Sequence, residues 1–294
     1  MNKNNRRAAV FILFGQSNAA GHDTPMREED IIREPMQNVF GLSRSLNQSF
    51  DNEQLFWTGY TSFGMNLAEE LDNTYSLANQ LARVWQDYID KGNAAGIPDL
   101  YIIQIAVGAQ GVTEEYMWYP KAAKRLRPGG FGVVDISLYP FSCHILSLLD
   151  KTFKSNGTDY DIIGLHWRGG ENDTSVQCED LFSLLNEIYS EILSGYNQIL
   201  SSPKIYLHRI IAKDRMFDLD PSGKKYERMC KINAVFENLC KKFPNVEIFD
   251  ASKSPLFRPD VCGNGVFISD HVHYTPELNM WAAECILDSF IKNR

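Results

Sequence analysis

Two short polar stretches near opposite ends of the chain carry residue types suited to nucleophilic chemistry. Ser17 lies in FILFGQSN (11–18), where an apolar run stops at a polar cluster, and SDHVHYT near the other end contains Asp270 and His273. A serine hydroxyl becomes a strong nucleophile when a histidine accepts its proton, and a carboxylate on the other ring nitrogen orients that histidine. Since residues three apart can share one turn, we predict Ser17 as nucleophile, His273 as base and Asp270 as its orienting acid. His271 is the alternative base, and the three-residue separation favours His273 over it.

Such a reaction develops negative charge on an oxygen, which needs preorganised hydrogen-bond donors. Each donor is worth roughly 2.7–4 kcal/mol when tested by mutation. We predict three donors: the backbone N–H groups of Ser17 and Gly108 and the side-chain amide of Asn172, with Gln110 in reserve. Gly108 lies in AVGAQG and Asn172 in HWRGGENDT, each shortly after a predicted strand. A glycine also lets the backbone approach the reacting oxygen closely.

Apolar runs precede these polar stretches and are typical of buried strands. Most are apolar at nearly consecutive positions, as expected for strands covered on both faces, and segments with helical periodicity separate them. The predicted strands are 8–14, 99–107, 160–167, 204–211 and 245–251, and the predicted helices are 76–92, 136–153, 178–196, 224–243 and 276–293. Ser76 should cap the first helix and Gly92 should end it. The alternation predicts an α/β fold with a central parallel sheet, whose ligands bind at the carboxyl ends of the strands. The long stretches 18–72 and 108–135 are expected to be irregular and functional.

Composition limits the partners that the chain can have. It has 294 residues, 44% of them hydrophobic, and a net charge of −8, which argues against a nucleic-acid or anionic-membrane partner. No run approaches the roughly 20 apolar residues that span a bilayer. We expect one domain over residues 1–294 and a cytoplasmic protein, because the start lacks a convincing signal peptide and the six cysteines are scattered. The oligomeric state is left open.

The remaining histidines are interpreted as packing or surface residues. They do not stand at the spacing of metal ligands, and neither a metal ion nor a cofactor is predicted. These histidines are His22, His144, His166 and His208.

The four polar blocks together resemble a known superfamily. Their order, GQSN, then Gly, then GxND, then DxxH, is similar to that of the SGNH hydrolases. More narrowly, FGQSNAAG, YIIQIAVG, WRGGENDT and DHVHYT resemble the sialate O-acetylesterase-like (SASA) carbohydrate esterases, over roughly residues 8–290. The resemblance implies a three-layer α/β/α sandwich of SGNH or flavodoxin-like type that removes acetyl groups from sugars without a metal. Carried over residue by residue, it implies the roles already named for Ser17, Asp270 and His273, and oxyanion donors at Ser17, Gly108 and Asn172.

Two positions depart from that pattern. Relatives of this type commonly carry Trp-x-Gln-Gly-Glu where this chain has WRGGE (167–171), so Gly169 replaces a glutamine. Ala109 replaces the second glycine of the usual Gly-Gly pair. Asn172 is therefore our choice of side-chain oxyanion donor, and the substrate preference is expected to differ from that of these relatives.

Several further side chains are expected to face or support the cleft. The expected substrate contacts are Gln16, Gln110, Trp118 and Arg168. Trp118 would stack on a sugar ring or, alternatively, anchor its loop as a buried aromatic. Glu171 is expected to hold the Ser17 loop by hydrogen bonds, and Asp173 is assigned to structure.

The function predicted from these residues is a carbohydrate O-acetylesterase that works through an acetyl-enzyme. One alternative is a lipase- or thioesterase-like hydrolase of the same superfamily, although loops rich in Asn, Gln, Ser and Tyr do not favour long acyl chains. The other is a non-catalytic carbohydrate-binding module on the same scaffold.

Overall fold

The first predicted strand lies in the middle of a seven-stranded sheet. The computed structural model describes residues 7–93, 97–124, 126–128, 134–175, 178–211, 224–260, 265–270 and 272–293. Strand β1 (Ala8–Gly15) is buried at all eight positions. It pairs in parallel with β4 (Leu100–Ala106) on one side and with β7 (Tyr160–Arg168) on the other. Apolar and polar residues therefore do not alternate along β1, because both faces of the strand are covered.

The sheet also contains two strands that the sequence pattern did not reveal. Its order is β3-β2-β4-β1-β7-β8-β9, with β8 (Ile205–His208) and β9 (Val246–Phe249) at one edge. Strands β2 (Val39–Leu42) and β3 (Trp57–Gly59) form the other edge, inside the stretch 18–72 that we expected to be irregular. Because β3 runs antiparallel to β2, the sheet is mixed and not wholly parallel. A separate two-stranded ladder joins β5 (Leu126–Pro128) to β6 (Val134–Ile136).

Helices cover both faces of the sheet, so the three-layer α/β/α arrangement is confirmed. Alternate residues of β1 enter different apolar clusters: Val10 and Ile12 pack with α4 to α7, whereas Phe11 and Leu13 pack with α3 and α8. The helices are α1 (Ser17–Ala20), α2 (Arg44–Asn47), α3 (Leu77–Tyr88), α4 (Leu138–Ser147), α5 (Leu149–Ser155), α6 (Leu181–Leu200), α7 (Lys224–Lys242) and α8 (Pro276–Lys292). Within the described ranges, no helix is long and apolar enough to cross a membrane.

Local capping residues set several helix ends. The Ser76 side chain accepts a hydrogen bond from the backbone N–H of Asn79, which confirms it as the cap of α3. One wider turn follows α3, and Gly92 takes a positive φ of 93° in it, as expected of a residue that ends a helix. Thr275 caps α8, whose first residue is Pro276. Since His273 lies two residues before this cap, the start of α8 fixes the position of the histidine loop.

Gly15 is the residue at which β1 turns out of the sheet. Its φ is 147°, and a Cβ atom there would lie 1.9 Å from the backbone oxygen of Arg168 on the neighbouring strand. Neither atom can move without displacing a central strand. The polar cluster after β1 therefore depends on a glycine at this position.

We expect Gly15→Ala to lower the free energy of unfolding by about 2 kcal/mol or more, because strained backbone and a close contact add. Gly169→Ala is the matched control, since a Cβ there makes only ordinary van der Waals contacts, with Gln16 Cγ at 3.5 Å and with Gln16 N and Gly15 Cα at 3.6 Å. It should change stability by less than about 1 kcal/mol. Urea unfolding of the two variants measures the difference, and equal stabilities would contradict this account of Gly15.

Candidate active site

Ser17 lies two residues beyond the end of β1, and its hydroxyl has no structural role in the described turn. It is the first residue of α1 and is 8% exposed. The N-cap position is Gln16, which makes no side-chain capping bond. Among the residues that the structure describes, the Ser17 hydroxyl has no hydrogen-bond partner. A capping role, the ordinary reason for a serine at such a turn, therefore does not account for it.

Asp270 and His273 form a hydrogen-bonded pair within one turn. Asp270 Oδ1 accepts hydrogen bonds from the backbone N–H groups of Val272 (2.8 Å) and His273 (2.9 Å), and Oδ2 lies 2.5 Å from His273 Nδ1. Burial opposes ionisation of Asp270, but these hydrogen bonds outweigh it and lower the pKa of the carboxyl. A carboxylate on Nδ1 leaves Nε2 as the nitrogen available to a hydroxyl. His271 lies outside the described residues.

The Asn18 side chain joins the histidine loop to the residue beside Ser17. Its Oδ1 accepts a hydrogen bond from the Tyr274 backbone N–H at 3.0 Å, and its Nδ2 donates to the Val272 carbonyl at 3.2 Å. Nδ2 also donates to Glu171 Oε1 at 3.0 Å. The two residues that flank His273 are therefore held by one amide at the end of β1. This clamp ties the loop that carries His273 to the end of β1, where Ser17 lies.

The three predicted oxyanion donors follow three neighbouring strands. Gly15 of β1 is in register with Ala106 of β4 and with Arg168 of β7. The residues shortly beyond these positions are Ser17, Gly108 and Asn172. In the described part of the chain, the N–H groups of Ser17 and Gly108 and the Asn172 amide have no hydrogen-bond partner. Their role as oxyanion donors stays a prediction, and unengaged donors are what it requires.

Glu171 and Asp173 support the loops around the site, as expected. Glu171 accepts hydrogen bonds from Gln16 Nε2 (2.7 Å) and from Asn18, on either side of Ser17. Asp173 is fully buried and accepts bonds from the Val112 backbone N–H (2.9 Å) and from the Tyr189 hydroxyl (2.8 Å). Burial raises the pKa of Asp173 to about 7, despite these bonds. Asp173 thereby fastens the loop after Gly108 to the turn after β7.

Trp118 is wrong as a sugar-stacking residue, and the alternative, a buried loop anchor, is confirmed. It is 0% exposed, and its Nε1 donates to the Gly15 carbonyl at 3.1 Å. Its ring packs on Phe14 and on Trp167, with centroids 5.6 and 4.9 Å away. The Trp118 side chain therefore packs against the end of β1 and does not face the cleft.

Arg168 and Gln16 are also too buried to contact a substrate. Arg168 is 1% exposed, and its Nη1 donates to the Asn18 carbonyl (3.2 Å) and to Asn279 Oδ1 (2.5 Å). Its guanidinium lies 4.6 Å from the centre of the Tyr274 ring, and burial lowers the pKa of Arg168 to about 10. Gln16 is 2% exposed and bound to Glu171. Both side chains therefore build the floor of the site.

Gln110 remains a predicted contact. It is partly exposed, and only its Oε1 is engaged, by the Met117 backbone N–H at 3.0 Å. The amide nitrogen stays available to a ligand within the described surroundings.

The structure shows the local conformation at the two positions that depart from the resemblance, although it does not explain the alanine at position 109. Ala109 has a φ of 57°, a left-handed conformation that costs a residue with a Cβ more than it costs glycine. A Cβ on Gly169 would lie 3.5 Å from Gln16 Cγ. The Gln16 side chain therefore fills part of the space that a larger residue at position 169 would occupy.

Two histidine contacts escaped sequence reasoning. His22 Nε2 lies 2.7 and 2.8 Å from the two carboxylate oxygens of Glu69. His166 Nδ1 lies 2.9 Å from His208 Nε2 in the interior. No spacing signal could have shown either contact, because 47 and 42 residues separate the partners.

Asp23 also approaches His273. Its Oδ2 lies 3.2 Å from His273 Nδ1, and Asp23, Asp270 and His273 offer ligand atoms within 4.8 Å of one another. The shortest of these contacts is the direct hydrogen bond between Asp270 and the ring. The geometry is that of an oriented histidine.

Comparison with solved structures identifies the fold. Neither a family model nor the sequence of a curated protein matches this chain. A protein from Arabidopsis thaliana aligns over 97% of this chain and 98% of its own, with 15% identity and a TM-score of 0.56. NanS aligns over 98% and 99% of the two chains, with the same identity and TM-score. Est24, a carbohydrate acetylesterase from Sinorhizobium meliloti, aligns over 98% and 100%, with 13% identity and a TM-score of 0.47. The chain shares its α/β fold with the Arabidopsis thaliana protein and with NanS.

Asn18→Ala should release the histidine loop without unfolding the protein. We expect the Tyr274 amide to exchange with solvent about tenfold faster or more, since the loss of a buried acceptor costs roughly 1–3 kcal/mol. Hydrogen–deuterium exchange of the segment 272–275 measures this. Asn238→Ala, which removes an amide bonded to Asn186 between α6 and α7, is the control. Equal exchange in both variants would contradict the clamp.

Asp173→Asn should remove a pH-dependent part of the stability. The folded pKa of about 7 exceeds the ordinary value of 3.8, so the native state holds a proton that the unfolded state has lost. Wild-type stability therefore falls as pH rises through this window, by about 2 kcal/mol between pH 5 and 7. Urea unfolding should show the free energy of unfolding of the variant rising relative to that of the wild type between pH 5 and 7. A stability difference between variant and wild type that does not change with pH would contradict the raised pKa of Asp173.

Proposed function

We propose that this protein is a serine esterase that removes acetyl groups from carbohydrates. The observation that carries the proposal is the clamp by Asn18, the residue next to Ser17, whose side chain bonds to both residues that flank the Asp270-bound His273. A base with a fixed tautomer next to an unengaged hydroxyl is the arrangement that nucleophilic acyl transfer requires. The fold is one that this chemistry uses, and the motif resemblance points the same way.

The proposed reaction begins with the Ser17 hydroxyl attacking the acetyl carbonyl carbon. His273 Nε2 takes the hydroxyl proton, and the ionised Asp270 stabilises the imidazolium that forms. The carbonyl oxygen becomes an oxyanion and accepts hydrogen bonds from Ser17 N–H, Gly108 N–H and the Asn172 amide. Donors that are fixed before the reaction need little reorganisation as the charge develops.

Collapse of the tetrahedral intermediate breaks the bond between the acetyl carbon and the sugar oxygen. His273 returns its proton to that oxygen, and the sugar leaves as an alcohol while the acetyl group stays on Ser17. Water then attacks the acetyl-enzyme as His273 removes its proton, and a second tetrahedral intermediate releases acetate and restores Ser17. Neither step uses a metal ion or a cofactor.

The sugar part of the proposal rests on the motif resemblance and on charge. With a net charge of −8, the protein suits a neutral acetylated sugar better than a polyanion. The lipase-like alternative needs room for a long acyl chain, and the binding-module alternative needs a Ser17 hydroxyl that does not react. Labelling of Ser17 by a reactive probe and the preference among esters distinguish both alternatives from the proposed function.

Ser17→Ala should lower acetate release from acetylated oligosaccharides by about 1,000-fold or more, because the nucleophile is lost. His273→Ala should do similar damage, whereas the matched control His271→Ala should keep most of the activity. Near-ultraviolet circular dichroism checks that the variants fold, and wild-type activity should survive EDTA. The measured quantity is kcat/KM for acetate release.

A fluorophosphonate probe separates the alternatives. It should label the wild type and not Ser17→Ala. A folded protein that is not labelled and releases no acetate would be a binding module, and the proposal would fail. Labelling together with a preference for p-nitrophenyl octanoate over acetate would favour the lipase-like alternative.

A further inference from the structure

His22 stands close to Ser17 although no motif marks it. Gly21 takes a φ of 84°, and the N–H groups of Gly21 and His22 both donate to the Ser17 carbonyl, at 2.8 and 3.0 Å. This tight turn ends α1 and returns the chain toward the nucleophile. The His22 side chain remains 27% exposed, so it borders the surface around Ser17.

Glu69 fixes the orientation of the His22 ring. Both carboxylate oxygens face Nε2, and the Glu69 side chain is 5% exposed. Glu69 is itself held, because its carbonyl accepts a hydrogen bond from Arg44 Nη1 at 2.7 Å. Burial opposes protonation of His22, but the hydrogen bond and charge of Glu69 outweigh it and raise the pKa of His22. The Glu69 carboxylate therefore holds the His22 ring in one orientation.

The His22 ring covers Gly108. A Cβ on Gly108 would lie 2.6 Å from His22 Cε1 and 2.7 Å from Nε2. The ring is thus in contact with the backbone that carries a proposed oxyanion donor. A substrate carbonyl bound to the Gly108 N–H would lie next to the His22 imidazole.

The other neighbour of the His22 ring is His273. The two rings are inclined by 25°, with centroids 6.2 Å apart. A methylene chain between two rings needs about 7–8 Å, since each carbon contact is best near 3.5–4.0 Å. The slot between the imidazoles is too narrow for such a chain. His22 and His273 therefore close the site on the side of Gly108.

We infer that His22, held by Glu69, is the residue that limits the acyl group of the substrate to a short chain. The inference rests on the proposed esterase function and adds to it a wall that selects acetyl over longer acyl groups. His22 acts by occupying space, and Glu69 acts as a positioning residue by keeping the ring in place. Proton transfer belongs to His273, whose Nδ1 is the one paired with the carboxylate of Asp270.

The test compares kcat/KM on p-nitrophenyl acetate, butyrate, hexanoate and octanoate. Wild type should prefer acetate. In His22→Ala the ratio of butyrate to acetate should rise about tenfold or more, since one or two methylenes in a pocket are worth at least that factor. His22→Gln keeps the length of the side chain and a donor for Glu69, so its ratio should stay within about threefold of wild type. His144→Ala removes a histidine from α4, outside the site, and is the matched control.

Three results would overturn the inference while leaving the esterase in place. An unchanged ratio in His22→Ala would show that the ring is not a wall. A wild type that accepts octanoate as readily as acetate would show that no wall exists. Loss of all activity in folded His22→Ala, as severe as in Ser17→Ala, would make His22 the base. If His22→Ala does not fold, His22→Asn shortens the side chain and should raise the ratio in the same direction.

Failure of the proposed function has a different signature. The wild type would then hydrolyse none of the four esters, and the fluorophosphonate probe would leave Ser17 unlabelled. The inference about His22 would fall with it.

Discussion

The site depends on one amide, the side chain of Asn18. It bonds to Val272 and Tyr274, which lie 254 and 256 residues further along the chain. Strand β1 is buried on both faces, so its end has a fixed position. The Asn18 side chain holds the loop that carries His273 relative to that end. Further hydrogen bonds hold the same loop, from Thr24 Oγ1 to the Tyr274 carbonyl and from the Thr275 N–H to the Val266 carbonyl, but they do not reach the residue beside Ser17. A displacement of a fraction of an ångström matters for proton transfer, so the proposed reaction depends on this clamp.

Beneath the clamp, buried polar groups do the positioning that apolar packing cannot. Arg168 joins the Asn18 carbonyl, Asn279 of α8 and the face of Tyr274. Asp173 ties the loop after Gly108 to helix α6 through Tyr189. Buried polar groups are costly unless they are bonded, so each tolerates few alternative geometries. The strand ends that carry the candidate donors are thereby held to one arrangement, which is the preorganisation that an oxyanion site needs.

Two histidine–carboxylate pairs lie next to each other, and they differ in the ring nitrogen that the carboxylate engages. In the pair of His273 and Asp270, the carboxylate engages Nδ1 within a tight turn and leaves Nε2 for the proton transfer that we propose. In the pair of His22 and Glu69, the carboxylate engages Nε2, and the ring lies against Gly108. The engaged nitrogen is therefore what distinguishes the roles that we propose for the two histidines.

The amino-acid sequence by itself determined the features that depend on local patterns. The buried run of β1, the Ser76 cap and the pairing of Asp270 with His273 all follow from neighbouring residues, and the structure shows each of them. Tertiary structure decided the rest. Strands β2 and β3 have only four and three residues, too few for a periodic signal. Trp118 and Arg168 have the residue types of sugar contacts, but burial is a property of the folded chain and removes them from the cleft. Glu69 meets His22 only because the loop after β3 folds back over β4, a contact that no spacing in the sequence encodes.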